Sequence, residues 1–152
     1  MVKKFDVATV LERETQATID NWYTRVEAER GLRTIPLSRK DRCAHLPGMF
    51  RDLVIRLRNP LPLGTHALTS ASAKNHGCLR RDQGYTAAMM VEESRMLQVS
   101  IFETLQRNVE ETEPGVLLLY VMVIADEVDS QLAQAMSSYI SEAEMDAKPI
   151  SA

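Results

Sequence analysis

Aromatic residues are scarce in this chain of 152 residues. Trp occurs once, Phe three times and Tyr four times, which together make 5% of the sequence. Sheets favour aromatic and β-branched side chains, whereas Leu, Ala and Met, which are plentiful here, favour helix. With 45% apolar and 26% charged residues, the chain has the composition of an ordinary globular protein and the length of one domain. We therefore predict a helical single-domain protein.

Long hydrophobic runs are also lacking. The longest one, from Val116 to Ala125, has ten residues, about half of what a membrane span needs. Charges interrupt the N-terminal stretch "MVKKFDVATVLERE" before a signal-peptide core can form. The two cysteines lack a secretory context, which indicates reduced thiols. These features predict a cytoplasmic protein without a membrane partner.

The net charge of −3 gives no reason to expect a nucleic-acid partner. Its distribution is uneven, because residues 1–82 carry 15 basic and 9 acidic side chains and residues 83–152 carry 3 and 12. Such an asymmetry indicates that the two halves face each other or that each half presents a patch to a partner. We favour the first interpretation.

Motifs of catalysis are absent. The sequence has no G-x-S-x-G, no P-loop and no G-x-G-x-x-G. A nucleophile such as Cys78 with His76 as its base would also need a third group that orients the base. We predict that the chain is not an enzyme by itself, and a small cysteine-dependent enzyme stays as a lesser alternative.

Metal-binding patterns are equally weak. Cys43 with His45, and His76 with Cys78, are pairs two residues apart, which point about 200° apart on a helix. The Glu-x-x-His pairs of di-iron bundles do not occur. We predict no metal and no cofactor, although the three histidines leave a haem ligand chemically open.

Hydrophobic spacing predicts helices over residues 6–29, 65–81, 85–109 and 116–142, with a further helix divided by Pro47. Ser38 followed by Asp41 resembles a capping box at its start. The predicted fold is thus all-α, a bundle of four to five helices with a long C-terminal helix. Residues 1–145 form the domain, and residues 146–152 are predicted to be a disordered tail.

The helix over 85–109 is apolar on two sides, which is typical of a central helix. One side contains Tyr85, Met89, Met96 and Val99, and the other contains Met90, Leu97, Ile101 and Leu105. Glu92 falls on the first side, where a buried carboxylate needs a partner such as Arg80, Arg81 or Arg95. Such a pair is a structural buried ion pair, an exposed surface pair, or the edge of a polar ligand pocket.

The C-terminal helix carries a heptad-like repeat with spacings of 3, 4, 3 and 4. Its members, which we call the C-terminal seam, are Ala125, Val128, Leu132, Ala135 and Tyr139. The spacing predicts either a coiled-coil contact that serves as dimer or output surface, or the ordinary amphipathic end of a bundle helix.

The stretch from His76 to Leu97 resembles the RsbRD N-terminal domain family, which comprises helical input domains of bacterial stressosome co-antagonists and of some sensor histidine kinases. The matching residues are His76, Gly77, Arg80, Gly84, Tyr85, Glu92, Glu93, Arg95 and Leu97, together with Trp22 and the tripeptide His45–Pro47. The resemblance implies a cytoplasmic domain that dimerises and passes a signal along its C-terminal helix. In such proteins a kinase or anti-sigma-antagonist domain follows, so the chain is either a piece of a longer protein or a stand-alone version.

We therefore predict a non-catalytic signal-transduction input domain that forms a homodimer and acts on a kinase or an anti-sigma-pathway partner. His76, Gly77, Arg80, Gly84, Tyr85, Glu92 and Arg95 are predicted to form a joint between two helices. Gly77 would permit close backbone approach, and Gly84 would supply the turn. The alternative is a helical domain that binds a small ligand or haem, similar to a globin in use.

Overall fold

The computed structural model describes residues 3–59, 61–65 and 69–147, which fold into α-helices without any strand. The helices are α1 (Val7–Arg13), α2 (Thr15–Ala28), α3 (Arg30–Arg33), α4 (Arg39–Arg42), α5 (Leu46–Arg58), α6 (Ala71–Asp82), α7 (Ala87–Arg107) and α8 (Pro114–Ala147), with a 3-10 turn at Val109–Glu111. Five of them, α2 and α5 to α8, have twelve residues or more. The predicted all-α, single-domain bundle with a long C-terminal helix is confirmed.

Side-chain caps fix the start of four helices. Asp6, Ser38, Ser70 and Thr86 each accept a hydrogen bond from the backbone N–H three residues on, which satisfies a donor that the helix leaves free. The predicted cap at Ser38 is confirmed, with its hydroxyl 3.1 Å from the backbone nitrogen of Asp41.

The predicted helix over 6–29 is broken into α1 and α2 at Glu14, where the backbone leaves helical geometry (φ −95°, ψ 11°). Pro47 lies in the first turn of α5, where its missing N–H costs no helical hydrogen bond. It separates α4 from α5 as predicted.

One hydrophobic core holds the helices together. Trp22, only 1% exposed, lies in this core, and its indole nitrogen donates to the backbone carbonyl of Glu93 at 3.1 Å. The most extensive helix pair is α6 with α8, while α7 packs against both α2 and α8. Helix α7 is therefore a central helix, but only the side with Met90 and Leu97 is buried throughout, since Val99 on the other side is 36% exposed.

The first turns of α8 differ from expectation. Their apolar sequence predicts a fully buried segment, yet Leu118 is 73% exposed, Leu119 55% and Met122 48%. Leu117, Tyr120 and Val121 pack onto the core from the other side of the helix. The segment is thus buried on one side only, and the prediction that it is core all round is wrong.

Ion pairs join the basic first half of the chain to the acidic second half. Arg13 pairs with Glu111, Arg25 with Glu103, Arg56 with Asp126, Arg80 with Glu93 and Arg81 with Asp146. The prediction that the two halves face each other is confirmed.

Within the described ranges, no helix combines the length and hydropathy that crossing a bilayer requires. Helix α8 includes Asp146 and Ala147, the first two residues of the predicted tail. Residues 148–152 lie outside the described part of the chain, so disorder there stays a prediction.

Candidate functional site

Glu93 is the centre of a buried polar cluster that we define as Arg42, His76, Arg80, Tyr85 and Glu93. Its side chain is 4% exposed. One carboxylate oxygen, Oε2, accepts from Arg80 Nε at 3.0 Å, and the other, Oε1, accepts from the Tyr85 hydroxyl at 2.6 Å. Burial opposes ionisation, but the neighbouring donors and the charge of Arg80 outweigh it, so the pKa of Glu93 lies below its usual value.

Arg80 extends from α6 into this cluster and is fully buried. Besides Glu93, its guanidinium donates to Gln83 Oε1 at 2.7 Å and to the backbone carbonyl of Arg42 at 2.5 Å. It also stacks on Tyr85, with 4.7 Å between the guanidinium carbon and the ring centre. All three nitrogens have acceptors, as a buried cation requires.

Arg42, at the end of α4, is a second buried cation. It donates to the Tyr85 hydroxyl and, at 2.6 Å, to the backbone carbonyl of Ile35. Its Nε lies 3.2 Å from Glu27, which is 35% exposed. The Tyr85 hydroxyl therefore accepts from Arg42 and donates to Glu93, and burial raises the pKa of Tyr85 so that it stays neutral.

His76 approaches the same carboxylate without forming a short contact. Its Nε2 lies 3.7 Å from Glu93 Oε2, beyond hydrogen-bond distance. Burial lowers the pKa of His76, so the ring is neutral and Arg80 is the counter-ion of Glu93. The ring of His45 lies edge-on to it at 5.9 Å between centres.

The polar cluster contains three of the seven residues of the predicted joint, His76, Arg80 and Tyr85. Gly77 lies within α6, and Gly84 lies in the connection between α6 and α7. Gly84 has φ +89°, a left-handed conformation that favours glycine, as the prediction of a turn requires.

The other two, Glu92 and Arg95, lie outside the cluster. They pair with each other on the surface of α7, where Arg95 Nε is 3.2 Å from Glu92 Oε2. The prediction that Glu92 and an arginine fix the helix angle is wrong, because the neighbouring Glu93 holds that place. Tyr85 precedes α7, which begins at Ala87, and the buried face of α7 runs through Met90, Glu93, Met96 and Leu97.

Gly77 brings the backbones of α6 and α8 into contact. A Cβ atom at this position would lie 2.0 Å from the backbone oxygen of Ala135. The Tyr139 hydroxyl adds a hydrogen bond of 2.6 Å to the carbonyl of Tyr85. Helix α8 is thus attached directly to the polar cluster, and the predicted close approach at Gly77 is confirmed.

These contacts bear on the interpretation of the C-terminal seam. Val128 and Ala135 are buried in the core, and Tyr139 is held by its bond to Tyr85. Ala125, Leu132 and Tyr139 are half-buried and keep part of their surface free. Packing within the chain accounts for the repeat at Val128 and Ala135, as in the ordinary amphipathic end of a bundle helix, and a dimer contact through the seam stays a prediction.

The candidate metal ligands do not converge. Among the described residues, no group of three or more His, Cys, Asp or Glu side chains is placed to hold an ion. Cys43 and Cys78 are free and half-buried, and burial raises the pKa of the Cys43 thiol, which makes it less nucleophilic.

A small cavity of about 30 Å³ borders the polar cluster. His76, Glu93 and Gln131 contribute its polar wall, and Trp22 and Leu97 belong to its apolar wall. The space is enough for about two water molecules. It does not fit a haem, because sites for larger ligands have volumes of roughly 300 Å³ or more.

Sequence reasoning missed Arg42 and assigned the central carboxylate to the wrong residue. The sequence did contain an indication of Glu93, because this residue begins the segment E-x-R-x-L, residues 93–97, which belongs to the resemblance to the RsbRD N-terminal domain family. It contained none of Arg42, because an arginine in a short basic helix reads as a surface residue.

Comparison of the chain with protein-family models, with curated proteins and with solved structures finds no match. The resemblance to the RsbRD N-terminal domain family therefore stays a prediction.

Proposed function

We propose that this chain is a non-catalytic input domain of bacterial signal transduction. In this proposal it forms a homodimer, and α8 passes a change in the polar cluster to a kinase or another regulatory partner. The observation that carries the proposal is the attachment of α8 to a buried ionic cluster that joins four helices.

The polar cluster has the properties of a switchable joint. Arg42 comes from α4, Arg80 from α6 and Glu93 from α7, while the Tyr139 hydroxyl of α8 bonds to the carbonyl of Tyr85. Arg80 is fully paired in this network, and loss of its carboxylate partner would leave an uncompensated buried charge. Intermediate arrangements are therefore unfavourable, and an element held in this way changes between discrete states.

The contact at Gly77 makes α8 follow α6. The backbones of Gly77 and Ala135 leave no space for even a methyl group between the helices. A shift of α6 that accompanies rearrangement of Arg80 therefore has to move α8, because packed interfaces do not deform continuously.

The surface of α8 supports the homodimer. Leu118, Met122, Ala125, Leu132 and Met136, which we call the outer stripe, recur at spacings of 4, 3, 7 and 4 and are exposed or half-buried. Asp129 interrupts the stripe once. Contiguous apolar surface of this kind is typical of a protein–protein contact, and heptad spacing fits pairing with a second copy of α8.

Two substitutions at adjacent positions test the coupling between the cluster and α8. Glu93→Gln removes the buried charge, and Glu92→Gln removes an exposed one on the same helix. We expect amide hydrogen exchange in Glu93→Gln to rise at least about tenfold in α6 and in residues 131–139 of α8, because the buried Arg80 loses its anion. Glu92→Gln is expected to exchange like the parent protein.

The pattern of exchange decides the outcome. If the increase in Glu93→Gln stays within α7, or spreads equally over all helices including α1 and α2, the cluster is only a structural ion pair. A rise confined to α6 and α8 supports transmission from the cluster to the C-terminal helix.

A further inference from the structure

A second site lies at the opposite end of α8 from the polar cluster. A groove of about 420 Å³ runs between the start of α8, the end of α5 and the start of α1. Its wall is mainly apolar and includes Leu57, Leu61, Leu63, Leu119, Tyr120 and Val123. The volume is within the range of about 300–1,000 Å³ that is usual for small-molecule sites.

Arg56 gives this apolar groove a buried cation. The side chain is 4% exposed and lines the groove. Its Nη2 donates to the carbonyl of Leu61 at 3.2 Å and lies 3.5 Å from Asp126, which already accepts from the backbone nitrogen of Gly64. The other terminal nitrogen, Nη1, is buried and has no hydrogen-bond partner among the described residues.

Such a donor is costly unless it has an acceptor. The other charged residues of the groove are already paired, since Arg58 bonds to Glu12 at 2.8 Å and Asp6 caps α1 through the Thr9 nitrogen at 2.8 Å. Arg56 pairs with Asp126 through Nη2, so its Nη1 is the donor among these groove residues that is left without an acceptor.

A smaller cavity of about 230 Å³ adjoins the groove and shares Asp6 and Tyr120 with it. Val116 and Phe5 belong to its apolar wall. The apolar space thus extends along the first turns of α8, which suits an elongated ligand better than a compact one.

We propose that this groove binds an amphipathic monocarboxylate, with its carboxylate on Arg56 and its alkyl chain along Leu119, Tyr120 and Val123. A guanidinium pairs well with a carboxylate. A phosphate of twice the charge fits less well, because the Asp6 and Asp126 carboxylates lie at or beside the same site. This binding site is distinct from the proposed input function, which rests on the polar cluster.

Decanoate is the first probe, with decanol and decylamine as matched compounds of the same chain length, and isothermal titration calorimetry as the measurement. We expect decanoate to bind about ten- to a hundredfold more tightly than either compound, because only the carboxylate satisfies Arg56. Equal binding of all three compounds, or no binding of decanoate, would overturn the proposal.

Two neighbouring leucines offer a matched pair of variants that leave the core intact. Leu119 lines the groove and is 55% exposed, whereas Leu118 is 73% exposed and lies outside the groove. Leu119→Glu is expected to weaken decanoate binding about tenfold or more, since it places a carboxylate beside the ligand's chain. Leu118→Glu is expected to bind like the parent, and equal affinities of the two variants would contradict the groove as the site.

Arg56→Gln tests the anion contact directly. We expect it to abolish the preference for decanoate over decanol, while Arg58→Gln keeps that preference. If Arg56→Gln does not fold, the Leu118 and Leu119 variants still test whether decanoate binds in the groove. A preference that persists in a folded Arg56→Gln would show that another group binds the carboxylate.

Discussion

At the scale of single residues, Glu127 is the most unusual titratable group outside the polar cluster. Its side chain is buried on α8, and its hydrogen-bond donor is Gln131 at 3.2 Å. Asp52 and Arg56 face it from α5, and Asp126 is its neighbour in sequence. Burial is the main reason that the pKa of Glu127 is raised from 4.5 to about 7, since Gln131 and Arg56 offset it only in part.

A raised carboxyl pKa means that the folded chain retains a proton that the unfolded chain has already lost. Between pH 4.5 and about 7 this carboxyl therefore makes the free energy of unfolding fall as the pH rises. Glu127→Gln should remove this fall and be more stable than the parent at about pH 8 by about 1–2 kcal/mol, allowing for solvent screening. At about pH 5 the two proteins should have nearly equal stability.

Urea unfolding of both proteins across this pH range is the measurement. The difference between them cancels the contribution of titratable groups that both proteins share, such as His45 and His76. Glu144→Gln, an exposed position on the same helix, serves as the control. It should leave the free energy of unfolding unchanged at both pH values. An equal change in Glu127→Gln at both pH values would contradict an ionisation effect.

The residue scale also shows a limit of sequence reasoning. Glu92 and Glu93 are adjacent and chemically identical, so which one is buried depends on the rotation of α7 about its axis. Packing of α7 against α2 and α8 sets that rotation, and a shift of one residue along the helix rotates the face by about 100°. The need for a buried glutamate–arginine pair was predictable, but the identity of the glutamate was not.

At the scale of elements, the packing of α6 on α8 depends on Gly77. Gly77→Ala would place a methyl group 2.0 Å from a backbone oxygen of α8, which cannot move aside as a flexible side chain does. We expect the free energy of unfolding to fall by about 1–3 kcal/mol or more, which is typical of overpacking in a rigid interface. Thermal unfolding measures it.

Gly115→Ala is the matched control, because nothing lies within 4 Å of a Cβ atom there and the residue is also helical. It should be neutral or raise stability by about 0.5–1 kcal/mol, since alanine favours helix over glycine. Equal effects of the two substitutions would contradict the close contact at Gly77.

Local signals predicted most helices, because caps such as Ser38 and the position of Pro47 act within one turn of the chain. The sequence did not predict two features of the fold. The break at Glu14 has no glycine or proline to mark it. The exposed side of α8 has the same residue types as its buried side, so periodicity could not distinguish them.

At the scale of the whole molecule, the outer stripe predicts the oligomeric state. Met122→Glu introduces a charge into the proposed contact between two copies of α8 and should weaken the dimer about tenfold or more. Ile55→Glu is the control, since Ile55 is 44% exposed against 48% for Met122 but lies on α5. Native mass spectrometry over a range of concentrations measures the dimer fraction, and a parent chain that stays monomeric throughout would contradict the homodimer.

The class of the fold and the mutual approach of the two charged halves were predictable, since composition and charge are properties of the whole chain. Which helix lies next to which was not. A hydrophobic face shows that a helix needs a neighbour but does not identify that neighbour, and the pairing of α6 with α8 depends on the fit of Gly77 against Ala135.

The length of α8 has a consequence for both of its ends. With 34 residues it is about 50 Å long, and one continuous rod borders the groove with its first turns and the polar cluster with its last ones. Under the two proposals, a helix of this kind would act as a lever between the groove and the cluster. If occupancy of the groove favours one tilt of the lever, rearrangement of the cluster must change affinity at the groove by the same factor, because thermodynamic linkage between two sites is reciprocal.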